Sequence, residues 1–226
     1  MGIPEAWCDG DLGGGVSQIG ESALTGMISF LLPYLRGVDF FARYALRWWE
    51  VTVCFILGVL FAGFLFFVAP PLAAVLAGYL VFTMALVVLV DYRHFIIPDV
   101  LSLPAIPLGL AAATSAFPEP VLLDHALAAL AAGLSLYAVR AVYRRVRGIE
   151  GLGLGDAKLA TAAGAWVGLD YLPMTCLLAT CAALFAVLAR SAFTRAGETT
   201  MTTAIPFGAF IAPAIVIMWT ARLFAI

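Results

Sequence analysis

Long uninterrupted apolar runs, rather than alternating ones, set the pattern of this chain. Seven of them, at roughly residues 51–68, 72–90, 100–117, 121–143, 157–170, 171–190 and 205–224, are divided by short polar or proline-bearing breaks. About 20 apolar residues in a helix cross a bilayer core, so runs of this length predict membrane-spanning helices. Continuous apolarity argues against a barrel, whose strands alternate with a period of two. The fifth run is short, and Asp170, Tyr171 and Pro173 mark its junction with the sixth. Pro70-Pro71 and Pro118-Glu119-Pro120 predict tight turns on one side of the membrane, facing longer, basic loops on the other. The expected fold is all-α: a polytopic transmembrane bundle of six or seven spans.

Ahead of these runs the pattern changes. The first twenty-odd residues are polar, acidic and glycine-rich, without the basic start and apolar core of a cleavable signal. Met27 to Leu35 is apolar but interrupted by Pro33, too short to span. Arg36, Arg43 and Arg47 then recur at helical spacing beside Phe40, Phe41, Tyr44, Trp48 and Trp49. Such a stretch fits an amphipathic helix at the headgroups, with arginines snorkelling to phosphates, and equally an anchor for the next span. The expected division is therefore 1–50, a loose tail and interfacial helix, and 51–226, a membrane-embedded domain.

Composition agrees: 64% of residues are hydrophobic and 12% charged, against about 45–50% apolar in soluble domains. A net charge of −2 with no long basic block gives no footing for nucleic acid. The distribution of charge says more. With a cytoplasmic N-terminus and seven spans, Arg36, Arg43, Arg47, Arg93, Arg140, Arg144, Arg145, Arg147, Lys158, Arg190 and Arg195 fall inside and Arg222 outside, as the positive-inside rule favours. Glu119, Asp124 and Asp170 fall outside. Cys8, Cys54, Cys176 and Cys181 stand singly, without the Cys-x-x-Cys spacing of zinc or redox sites. No His-Glu-x-x-His cluster and no serine–histidine–acid set is present, so neither a metal nor a cofactor is expected. His94 reads as a loop residue, and His125 falls near the external end of the fourth span.

Chemistry concentrates in two acidic stretches. Asp91-Tyr92-Arg93-His94-Phe95-Ile96-Ile97-Pro98-Asp99 follows the second run, and Glu150-Gly151-Leu152-Gly153-Leu154-Gly155-Asp156-Ala157-Lys158 precedes the fifth. The topology puts Asp91 and Asp156 at the same cytoplasmic boundary. Two facing carboxylates can hydrolyse a peptide bond: the ionised one takes a proton from water, and the protonated one donates to the carbonyl oxygen. Close like charges cannot both ionise, so such a pair shares a proton. Gly151, Gly153 and Gly155 would let another backbone lie close by. The same residues also fit a flexible loop ending in a helix-capping Asp. An ion or proton site in a transporter or assembly component is a further alternative, although no inverted repeat is visible.

With Ala204-Ile205-Pro206-Phe207-Gly208-Ala209-Phe210, the two stretches form three ordered motifs that closely resemble the prepilin peptidases, the membrane aspartic proteases of type IV pilus and type II secretion systems. The likeness covers roughly residues 80 to 215. It implies that Asp91, opening Asp-x6-Pro-Asp, and Asp156, closing Gly-x-Gly-Asp, are the catalytic pair, with Gly153 and Gly155 where a substrate strand would lie. Glu150, Lys158, Asp99, Pro98, Pro206 and Gly208 match the family pattern as supporting or substrate-binding positions, Asp99 being expected to cap the helix after Pro98. Glu150 and Asp99 are the candidates for reading a basic leader. The implied substrates are prepilins or pseudopilins, cut after a glycine, just ahead of their apolar helix, at the cytoplasmic face of the bacterial inner membrane. Other Gly-x-Gly-Asp proteases, of the presenilin or preflagellin peptidase kind, share only the local Leu152–Asp156 pattern. Long family members carry two Cys-x-x-Cys pairs and a methylation-associated N-terminal segment, neither of which is recognisable here. Cleavage without methyl transfer is the expectation, and oligomeric state is left open.

Overall fold

The computed structural model describes residues 43–117, 121–148, 153–193 and 206–225. Six helices follow in order: α1 (Trp48–Leu65), α2 (Pro71–His94), α3 (Asp99–Ala116), α4 (Leu122–Arg147), α5 (Leu154–Phe193) and α6 (Gly208–Phe224). No strand occurs among the described residues. The first five are long and apolar enough to cross a membrane, while α6 is a shorter apolar helix of 17 residues. The protein is thus a multi-pass helical membrane protein. Met1–Leu46 and Arg47–Ile226 are separate compact units. Most of the first, and with it most of the expected interfacial helix, lies outside the described residues. Trp48, Trp49 and Glu50 belong to the first turns of α1 instead, because Arg47 is the extended residue that precedes it and Glu50 turns back onto the Arg47 N–H at 2.9 Å.

Small residues let the helices approach closely, as packing between helices in lipid requires. A β-carbon built on Gly58 of α1 would lie 2.5 Å from the Gly78 carbonyl oxygen of α2, and one on Gly78 would lie 2.7 Å from Ala62 Cβ. Between α4 and α5 the same device recurs, with Gly164 against the backbone of Ala128 and Ala129, and Gly133 against Thr161. Gly109 of α3 makes room for the Trp166 indole, whose Nε1 donates to the Ala105 carbonyl at 2.8 Å.

The helix α5 is broken at Gly168, where φ is 74° and ψ 176°, a conformation open essentially to glycine alone. Residues 162–168 are buried, whereas much of the helix beyond is exposed. Ala160 and Ala163 share a cavity wall with Thr175, Cys176 and Thr180, so the chain doubles back and the two halves lie side by side. Seven helical segments result among the described residues. The expected junction at Asp170–Pro173 is corrected to Gly168, with Pro173 inside the second half.

Three side chains from other helices serve this break. Asp124 Oδ2 accepts from the Leu169 N–H at 3.2 Å, Arg222 donates to the Val167 carbonyl, and His125 Nδ1 meets the Ala165 carbonyl at 2.9 Å. Helix ends otherwise leave such groups unpaired. Arg222 also lies 3.7 Å from Asp124 and stacks over Phe117 and Tyr171. His125 is fully buried here, at the end of α4 remote from Asp91 and Asp156.

Candidate active site

At the opposite end of the bundle, α2 closes with Asp91 in its last turn. Phe95 takes the left-handed conformation (φ 54°) and returns its N–H to the Asp91 carbonyl at 2.9 Å, which ends the helix. His94 is therefore the last helical residue rather than a loop residue. Ile96 to Pro98 then carry the chain outside any helix to the start of α3. Pro98 precedes its first turn at φ −67°, where a missing N–H costs nothing.

The Asp91 side chain is buried, 4% exposed, and points at the start of α6. Its Oδ2 accepts from the Ala209 N–H at 2.9 Å, with the Gly208 N–H as a second donor. These are first-turn amides at the positive end of a helix dipole, a favourable seat for a carboxylate, and the Ala209 N–H is shared with the Pro206 carbonyl at 3.2 Å. Pro206 and Phe207 bring the chain into that turn, and the Pro206 and Phe207 carbonyls accept its first internal bonds. A β-carbon on Gly208 would lie 2.9 Å from Asp91 Oδ2 and 2.7 Å from Ile97 Cδ1. The third motif thus works by proximity: glycine lets the α6 amides reach Asp91.

Asp156 is the third residue of α5, and its carboxylate folds back to accept from the Gly153 N–H, the reach of an acid at the third helical position. Asp156 and Asp91 are near enough to interact as charges. Ile97 occupies the ground between their supports, since a β-carbon on Gly155 would lie 2.8 Å from Ile97 Cβ. Gly155, next to Asp156, and Gly208, beside Asp91, therefore pack on one buried side chain. The sequence carried no signal for Ile97 beyond its place in the motif.

Asp99 corrects an expectation: its carboxylate makes no cap for α3. It accepts from Lys158 Nζ at 2.6 Å, tying the start of α3 to the first turns of α5. A second tie went unread in the sequence. Glu50 of α1, 5% exposed, receives both Arg93 guanidinium nitrogens, at 2.9 and 2.5 Å, two residues from Asp91. A charge so close to an apolar run was its only signal. Glu150 lies outside the described residues. Among the described residues no three His, Cys, Asp or Glu side chains gather as metal ligands.

A multi-pass helical membrane protein that seats two acids from different helices at one end of its bundle, on glycine-lined supports, has the form of a membrane-embedded acid-pair site. Residues 78–188, which include both acids, match the type IV leader peptidase family. Similar curated proteins are the prepilin leader peptidase/N-methyltransferases of Pseudomonas aeruginosa, 40% identical over 58% of this chain and 44% of that protein, and of Klebsiella pneumoniae, 40% identical over 56% and 55%. That of Pseudomonas putida is 34% identical over 61% of this chain and 47% of its own length. The chain thus spans about half the length of the curated relatives it matches. No solved structure matches it.

Proposed function

We propose that the chain is an aspartic endopeptidase that removes the leader from type IV prepilin-like or pseudopilin substrates at the cytoplasmic face of the inner membrane. The observation that carries this reading is the juxtaposition of Asp91 and Asp156 through Ile97 and the two glycines it packs against. Asp91 Oδ2 is engaged by the α6 amides, which fixes the carboxylate plane and leaves Oδ1 for a water. With one proton shared by the pair, the ionised acid takes a proton from that water as its oxygen adds to the scissile carbonyl carbon. The protonated acid gives its hydrogen to the carbonyl oxygen. Collapse of the tetrahedral intermediate breaks the C–N bond, and a proton passes to the leaving amine.

Preorganised geometry is what the surroundings contribute. Lys158 and Asp99 neutralise one another, so in this reading they hold α3 against α5 rather than bind the leader. The leader's basic charge is left to Glu150. The proposed reaction is hydrolysis alone, with membrane lipid as the solvent for the bundle. The test is cleavage of a purified prepilin in detergent without added metal or nucleotide. Asp91→Asn and Asp156→Asn are each expected to abolish it, and full cleavage by either variant would sink the mechanism.

A further inference from the structure

Further along the helix that carries Asp156 lies a cavity of about 350 Å³, bounded by α4, both halves of α5 and the start of α6. That volume is within the range of ligand pockets, about 300–1,000 Å³. Its walls include Ala132, Ala160, Ala163, Cys176, Phe207 and Ile211. Two features join it to the acids. Asp156, Ala160 and Ala163 stand at i, i+4 and i+7, one stripe of one helix, so the wall begins about 6 Å along the axis from Asp156 and continues to about 10 Å. Phe207 and Ile211, also i and i+4, bracket the Gly208–Ala209 amides that hold Asp91. The small alanines leave the space open. On its outer side the cavity reaches Cys176 and Thr180, both exposed on the flank of the bundle.

Resting on the peptidase reading, we infer that this cavity is the subsite for the apolar, membrane-embedded segment adjoining the scissile bond. A peptide bond held at Asp91 and Asp156 lies at one end of the bundle, and the chain beside it can follow the same helical stripe into the apolar interior. The lining offers apolar contact and room but no charge, so it selects bulky apolar side chains and rejects charged ones.

Cys176 gives a direct test, because it lines the cavity, whereas Cys181, also exposed, does not. In the cleavage-inactive Asp156→Asn background, alkylation by N-ethylmaleimide in detergent is followed at both thiols with and without a prepilin carrying its apolar segment. Protection of Cys176 by about tenfold, with Cys181 unchanged, is expected. In the active enzyme, Cys176→Phe is expected to lower kcat/KM for that substrate about tenfold but to leave a peptide truncated after the scissile bond unaffected, with Cys181→Phe as the control. Equal alkylation rates, or a Cys176→Phe enzyme with unchanged kcat/KM, would overturn the subsite. Absence of any cleavage by the unmodified enzyme would instead overturn the peptidase reading, whatever the alkylation shows.

Discussion

At Gly208 a hydrogen in place of a side chain decides whether Asp91 can meet the α6 amides. Gly208→Ala places a methyl group 2.9 Å from Asp91 Oδ2 and 2.7 Å from Ile97, so either the carboxylate or the helix must move. Small misplacements of reacting groups cost about 10²-fold in rate. A loss of that order in kcat is expected, with helix content by circular dichroism unchanged. The Lys158–Asp99 pair acts more weakly. Both side chains are about a third exposed, at 34% and 35%, so solvent screens them and the pair is expected to contribute about 0.2–1 kcal/mol. A double-mutant cycle of Asp99→Asn and Lys158→Met, read by thermal unfolding in detergent, checks this: coupling near zero would remove the tie. Asp91, Asp156 and Lys158 were legible as residues because their polar character stands out in apolar surroundings. Ile97 and Glu50 were not, since an isoleucine in an apolar chain and one acid ahead of a span look ordinary until the fold gives them partners.

Among the elements, α5 is where pattern and structure diverge. An apolar run can be counted, but the point at which it reverses depends on what caps the exposed amides and carbonyls, and those caps come from Asp124, His125 and Arg222 on other helices. Asp170 and Pro173 are the stronger turn signals by type, yet Gly168 alone has the required backbone freedom. Gly168→Ala is expected to lower stability by about 1–3 kcal/mol for the backbone conformation alone. The methyl group would also sit 2.5 Å from Asp124 Oδ2. Thermal melting of the detergent-solubilised protein measures the change, and a variant as stable as the parent would contradict the break. Asp99 shows the same limit: a residue after proline at a helix start suggests a cap, but a lysine on another helix claimed it.

For the whole molecule, the acid pair and the Asp124–Arg222 cluster occupy opposite ends of the bundle, which in the proposed topology are opposite sides of a membrane. Ile96 and Leu169 are exposed, 54% and 39%, one near each cluster. With a membrane-impermeant maleimide, Ile96→Cys is expected to be labelled from the cytoplasmic side alone and Leu169→Cys from the other alone, in a background without the native cysteines. Labelling of both from one side would reject the proposed topology. By itself the sequence determined the solvent and the helical class. These follow from composition and local periodicity, which act over one or two helical turns. Only the tertiary structure decided where α5 reverses, that Gly208 brings helix amides to Asp91, that Lys158 is spent on Asp99, and that an apolar cavity lies along the Asp156 stripe. Each depends on which faces of distant helices meet, and that is set by close packing among all of them at once.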